Sequence, residues 1–439
     1  MTALVVAACG GSPSPTPVGP DTTVVTTPVK TTVKTTPTAK VPTSTPVPTK
    51  TVYHGARGAN TVTEWNSLAE EAISGSEDAV TLALMHIAIH DALNSIDLRY
   101  KRFVVTSSMP DVSPEAAAAS AAHTVLSTRL SSSLSLMIDG ELRSSLDSIP
   151  DGPAKTQGID FGNDVAQQVL KFYNPSQGPS LPLPTPGPGV WAAPAGVNSF
   201  PNTFPPSFLA LTFTNVEQFR APPPISLTSA EYAADFNEIK AIGSINSKTR
   251  TAEQTAIANF WRPTAFHLYF SQVARQLSAA KQLDLWDSAR LFAEFSTVAS
   301  DSYRAYMDTK HEYVRWRPQQ AIRAGENDGN PDTVGDPSWQ ALIPSLSNPD
   351  YVSGHAASCN GISRVLQSFS GTDKFDFSIE IEGVTRNYSS LSSAADECAV
   401  SRIYGGSHFR KSTEAGAAQG NKVADNVIEN FFTPVTGSP

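Results

Sequence analysis

The chain is poor in the residues that mark the commoner kinds of site. It has three cysteines in 439 residues: Cys9, Cys359 and Cys398. They are too few for a disulfide scaffold and lack the paired spacing of a zinc site. Charged residues make up 17% and the net charge is −9, which disfavours general nucleic-acid binding. No run of about 18 apolar residues occurs, so no transmembrane helix is expected. No long apolar/polar alternation occurs either, so little strand is expected. What is present is an apolar fraction of 40%, a globular composition with a sizeable core. The length suits one large domain or two ordinary ones. An acidic chain with a few clustered cations points to a small, local anion site.

The first residues carry Cys9 within LVVAACGGS. That stretch resembles a bacterial lipobox, although the segment before it is short and holds no Lys or Arg. Residues 1–9 are read as a truncated lipoprotein signal, which predicts export, either lipid-anchored at the cell surface through Cys9 or secreted. Residues 10–58 are a Pro/Thr-rich tract with no aromatic before Tyr53. Pro fixes φ and removes a donor, so this tract is expected to be an extended, disordered stalk.

From Asn60 the pattern becomes helical. AVTLALMHIAIHDALNSI, PEAAAASAAHTVLSTRL and TQGIDFGNDVAQQVLKFY place apolar residues at helical spacing. His86 and His90 stand one turn apart, followed by Asp91. They suit a metal pair with no evident third ligand, or two packed core histidines. Residues 174–226 break the pattern with NPSQGPSLPLPTPGPGVW and FRAPPPISL. Such an arm either walls a pocket or simply connects two parts. Helices resume at Ser229, the longest running to Lys310, with another after His355 and one closed by Gly405-Gly406. The prediction is an all-α helical bundle over residues 60–432, in two bundled halves with long Pro-rich loops.

Chemistry concentrates between Lys310 and Ser412. Arg317 precedes Pro318, and its planar fork matches two oxygens of one oxyanion, while Lys310 adds a mobile point charge. Ser353-Gly354-His355 opens a predicted helix, whose free N–H groups favour anions. His355 suits proton transfer near neutral pH. Arg402 and His408 bracket Ile-Tyr-Gly-Gly-Ser, where two glycines let the chain turn sharply. Three cations and two imidazoles point to a bound oxyanion.

Taken together, Lys-x6-Arg-Pro, SGH and Ser-Arg-x5-His resemble the signature of one superfamily. It joins type-2 phosphatidic acid phosphatases, bacterial acid phosphatases and vanadium-dependent haloperoxidases. YVRWRPQQAIRAGENDGNP, NPDYVSGHAAS and SRIYGGSHFRKSTEAG are similar to its soluble haloperoxidase-like branch. The resemblance implies that Lys310, Arg317 and Arg402 hold the equatorial oxygens of vanadate, with phosphate as a competing ligand. Ser353 and Gly354 would hydrogen-bond the same oxygens. His408 would be the axial metal ligand, or the nucleophile of a phosphatase, and His355 the acid/base group. The implied activity is halide oxidation by hydrogen peroxide, with an organic acceptor. The alternatives are an acid phosphatase working through a phosphohistidine, and an inactive surface binding module.

Two positions depart from that pattern. Val352 stands where Pro precedes the SGH, and Ser412 stands where an Asp normally holds the second histidine's tautomer. Ser412 itself, Glu414 or a backbone carbonyl are the substitutes considered. Cys359 and Cys398 lie on the two helices expected to converge on the site, and form either a disulfide or two buried thiols. His311 and Trp316 are placed to tune the pocket or to pack.

Overall fold

The computed structural model describes residues 61–73, 79–174, 182–197, 200, 209–344 and 347–435. The Cys9 segment and the Pro/Thr-rich stalk lie outside the described residues. Thirteen α-helices carry the described fold. The first five are α1 (Thr61–Ala72), α2 (Ala79–Ile96), α3 (Pro114–Arg129), α4 (Ser135–Asp147) and α5 (Pro153–Phe172). Next come α6 (Ala230–Ile242), α7 (Ala252–Phe260), α8 (Phe266–Lys281), α9 (Leu285–Tyr313) and α10 (Pro318–Arg323). The last three are α11 (Gly354–Ser370), α12 (Leu391–Tyr404) and α13 (Arg410–Asn430).

The helices begin where the sequence can satisfy their free donors. Ser113 caps α3 by accepting from Ala116 N, with Pro114 in the first turn. Asp284 caps α9 through Asp287 N at 2.9 Å. Thr251 and Gln254 form a reciprocal capping box on α7. Helix α2 is apolar on all sides because it is buried on all sides: every residue in it except Ile96 is buried. It alone among the described residues is long and apolar enough to cross a membrane, and it runs through the core.

The 29-residue helix α9 is the central strut. It packs against α2 on one side and against α11 and α13 on the other. One hydrophobic cluster therefore runs from Trp65 and Leu84 through Phe292 and Val298 to Ile362 and Val427. The expectation that α9 ends at Lys310 is corrected. The helix continues to Tyr313 and closes on Val314 in left-handed conformation, whose N–H returns to the Lys310 carbonyl. Lys310 thus lies in the last turn and points inward.

Two features were not expected from the sequence. Strands β1 (Lys374–Ile381) and β2 (Val384–Ser390) form an antiparallel hairpin between α11 and α12. Its inward face is Phe377, Ile379 and Ile381, all buried. The Pro-rich arm does more than connect. Trp191 N donates to Val314 O at 2.7 Å and Trp316 N to Gly189 O at 3.0 Å. Gln320 Nε2 donates to Ala192 O at 2.6 Å. The arm is thereby paired to the stretch between Lys310 and Arg317.

Candidate functional site

The structure brings all seven site residues predicted from sequence to one buried cluster. Lys310 comes from the last turn of α9 and Arg317 from the N-cap of α10. Ser353, Gly354 and His355 form the cap and first turn of α11. Arg402 comes from the last turn of α12, and His408 stands one residue before the N-cap of α13. Between the last two, Gly406 turns the chain at φ 73°, and a Cβ there would lie 2.5 Å from the Gly243 carbonyl. A glycine is required for that close approach.

The cluster is out of solvent: Lys310, Arg317, Arg402, His355 and His408 are each 3% exposed or less. Arg317 Nε and Nη2 donate to Asn348 O at 2.8 Å and Asn348 Oδ1 at 2.6 Å. Its Nη1 reaches Ser407 O and His408 Nε2, both at 2.9 Å. Arg402 Nη1 reaches His355 Nε2 at 2.8 Å and Trp261 O at 2.6 Å, and Nη2 donates to Ser407 Oγ at 3.1 Å. Arg402 Nε is buried with no hydrogen-bond partner among the described residues. Lys310 Nζ donates to the carbonyls of Pro349 (2.5 Å) and Asp350 (3.0 Å). The Phe266 ring meets His355 edge-on at 4.4 Å, and a Cβ on Gly354 would come 2.9 Å from the Tyr306 ring. Ser353 spends its acceptor on Ala356 N, which leaves its O–H free to donate.

The His408 tautomer follows from these contacts. A guanidinium only donates, so His408 Nε2 accepts from Arg317 and the ring proton sits on Nδ1. Nδ1 lies 2.8 Å from Asp350 Oδ1. His355 Nε2 meets both the Arg402 Nη1 donor at 2.8 Å and the Trp261 carbonyl acceptor at 3.0 Å, so these contacts do not assign its tautomer. Burial, followed by Arg402, holds His355 well below its ordinary pKa. Burial, followed by Arg317 and Lys310, does the same to His408. Both rings are therefore neutral at pH 7. Burial, reinforced by Arg317, also lowers Lys310. Burial lowers Arg317 to about 10, and burial followed by Arg317 lowers Arg402 to about 9.

Asp350 is the carboxylate of this cluster and was not foreseen. The sequence offers Ser412, Glu414 or a backbone carbonyl to orient His408. Ser412 Oγ is 3.5 Å from Nδ1, too far for a good hydrogen bond, and it donates instead to Asp350 O at 3.0 Å. Glu414 is half-exposed and pairs with Lys411. Asn348, Ser407 and the Trp261 carbonyl were missed as well. His311 is half-buried against the Phe200 ring at 4.6 Å. Trp316 packs with Tyr232 and Phe236. His86 lies elsewhere, 3.0 Å from Asn66 Nδ2. Among the described residues no group of three His, Cys, Asp or Glu is arranged to hold a metal ion. Cys359 on α11 and Cys398 on α12 are joined by a disulfide that ties together the helices bearing His355 and Arg402.

A helical bundle with buried basic side chains and two histidines near its helix ends is what the fold and the site present, and part of the chain is similar to vanadium-dependent haloperoxidases. Residues 290–437 match the family model described as the VCPO second helical-bundle domain. A vanadium chloroperoxidase of Curvularia inaequalis is 27% identical over 188 residues, 36% of this chain. That stretch spans only 30% of the relative's own length. The fold is similar to that of a bacterial vanadium-dependent iodoperoxidase, with a TM-score of 0.70 and 19% identity over 85% of this chain and 96% of that one. It is also similar to a holo-type bacterial vanadium-dependent chloroperoxidase, with a TM-score of 0.62 and 16% identity over 85% and 97%.

Proposed function

We propose that the protein is a vanadate-dependent haloperoxidase that uses hydrogen peroxide to oxidise a halide. The observation that carries this reading is the charge balance of the buried cluster. Lys310, Arg317 and Arg402 bring three basic side chains and Asp350 one carboxyl out of water, so the basic groups outnumber the acidic one by two. Burying unmatched charge is costly unless a partner offsets it. A tetrahedral or trigonal oxyanion is that partner. The donor set fits vanadate: two guanidinium forks, one ammonium, the Ser353 hydroxyl, the Gly354 N–H at a helix start, and the buried, unpartnered Arg402 Nε.

When bound, vanadate would supply the Lewis-acid centre at which peroxide becomes reactive toward halide. The chain does the rest. His408 would hold vanadate through the Nε2 lone pair. Lys310, Arg317 and Arg402 would hold its oxygens and withdraw charge from them, an electrostatic contribution of the kind that often dominates catalysis. His355, whose Nε2 sits between Arg402 Nη1 and the Trp261 carbonyl, would be the group that exchanges a proton with peroxide. Phe266 and Tyr306 help keep the site dry.

A second reading is favoured by the His408–Asp350 pair. An Nδ1–H held by a carboxylate and an Nε2 lone pair turned toward the cations also suit nucleophilic attack on a phosphate ester. The proposal extends to export through the Cys9 segment, in a compartment where the Cys359–Cys398 disulfide persists. The deciding experiment loads the purified full chain with orthovanadate. Peroxide-dependent halogenation of an indicator diketone is measured with iodide, bromide and chloride, beside hydrolysis of an aryl phosphate by the vanadate-free protein. Halogenation that requires vanadate is the expected result. Hydrolysis without halogenation overturns it in favour of a phosphatase.

A further inference from the structure

We infer that Asp350 is the positioning residue of the axial histidine, a carboxylate delivered by the loop before α11 in place of one on α13. The inference rests on the oxyanion-binding reading of the site. His408 precedes α13, and the side chain one turn further along, Ser412, stops 3.5 Å from Nδ1. Asp350 comes from a different part of the chain and closes to 2.8 Å. With Arg317 Nη1 donating to Nε2, the Nδ1 proton needs an acceptor. Asp350 Oδ1 is the acceptor the structure provides. The carboxylate therefore fixes both the rotation of the ring and the nitrogen that presents its lone pair to the cations.

Its placement differs in kind from a carboxylate on the same helix as the histidine. The Asp350 carbonyl receives Lys310 Nζ at 3.0 Å and Ser412 Oγ at 3.0 Å. Its N–H donates to Arg315 O at 2.8 Å, and Ser353 N donates to Ser412 O at 2.9 Å. One residue thus links the axial histidine to an equatorial cation, while Ser412 braces the loop that carries it. A shift of this loop moves His408, Lys310 and the Ser353 cap together.

The test measures binding of orthovanadate, and separately of inorganic phosphate, to the full chain by calorimetry, with apo-protein melting as a fold control. Asp350→Ala is expected to weaken orthovanadate binding by about 10–100-fold. Asp350→Asn keeps an acceptor oxygen and is expected to lose less. The discriminating variant is Asp350→Ala combined with Ser412→Asp, because position 412 already reaches toward Nδ1. Recovery of affinity in that variant is expected. Unchanged binding in Asp350→Ala overturns the inference. So does lost binding with a collapsed melting temperature that Ser412→Asp does not restore, since Asp350 would then serve the fold alone. Wild-type protein that binds neither anion overturns instead the oxyanion reading itself, and the inference falls with it.

Discussion

His90 on α2 and His408 before α13 are both fully buried, and each has a carboxylate against Nδ1: Asp91 at 3.1 Å and Asp350 at 2.8 Å. Their surroundings differ. Asp91 directs its oxygens at the N–H groups of Phe103, Val104 and Val105, so it pins a loop to the core. His90 Nε2 has no hydrogen-bond partner among the described residues, and the ring meets Phe432 edge-on at 4.9 Å. His408 Nε2 faces Arg317, with Lys310 and Arg402 close enough to depress its pKa. A buried histidine–carboxylate pair is therefore not a mark of a site. What separates the two is the other nitrogen: one looks onto aromatic carbon, the other onto unmatched positive charge.

The sharpest way to break this comparison is to remove each ring. His408→Ala is expected to weaken orthovanadate binding by a factor on the order of a thousand, about 4 kcal/mol, with little change in apo-protein melting. His90→Ala is expected to do the opposite. Affinity stays, while stability falls by about 3 kcal/mol through the cavity left in the core. Calorimetric titration and denaturant unfolding of both variants read the two effects. Equal losses of affinity in both would show that the pairs are not distinct.

A second difference is covalent. The disulfide ties α11 to α12 in the half that buries the cations, across a sequence separation of 39 residues. Closing a loop of that size constrains the unfolded chain by about 4 kcal/mol. Replacing Cys359 and Cys398 by Ser is expected to lower unfolding free energy by about that amount and to weaken orthovanadate binding, because His355 and Arg402 ride on the two joined helices. A stability loss with unchanged affinity would confine the bridge to the fold.

How far the sequence spoke also divides along this comparison. The seven residues of the cluster were legible because, in this order and at these spacings, they resemble the signature of one superfamily. His86 and His90 could be read two ways, and their neighbours Asn66, Phe292 and Phe432 are what assign them to the core. Asp350 was not legible. It meets His408 from another element, and a contact across elements has no spacing to search for. It lies in NPDYVSGH, three residues before Ser353 and far in sequence from His408. The pairing of the arm with Val314 and Trp316 was hidden because backbone hydrogen bonds leave no side-chain signature. The hairpin was not hidden. Phe375, Phe377, Ile379 and Ile381 alternate, and Glu382-Gly383 supply the turn, with φ of 50° and 80°.

The smallest expected effect concerns a second pair of buried carboxylates, Asp350 and Glu294. Asp350 meets Arg317 and Lys310, yet burial raises it to about 6. Glu294 on α9 is 1% exposed and has Arg290 at 2.9 Å. Arg290 in turn lies over the Tyr100 and Phe369 rings. Burial outweighs that cation and raises Glu294 from 4.5 to about 7. A raised carboxyl binds its proton more tightly in the folded state, so ν for the native state exceeds ν for the unfolded state between these values. Stability then falls as pH rises through the window from 4.5 to about 7, and is flat on this account below it. Glu294→Gln removes the ionisation. The difference in unfolding free energy between variant and wild type is expected to move in the variant's favour by about 3 kcal/mol from the bottom of that window to the top. Urea unfolding of both proteins at half-unit pH steps measures it. Asp350→Asn placed beside it sharpens the contrast. Glu294 titrates against one cation, so its substitution should leave oxyanion affinity alone. Asp350 sits among the cations and holds His408, so its substitution should not. A Glu294→Gln protein that weakens orthovanadate binding as Asp350→Asn does would mean that the positive cluster extends down α9, and that the boundary between core and site is drawn in the wrong place.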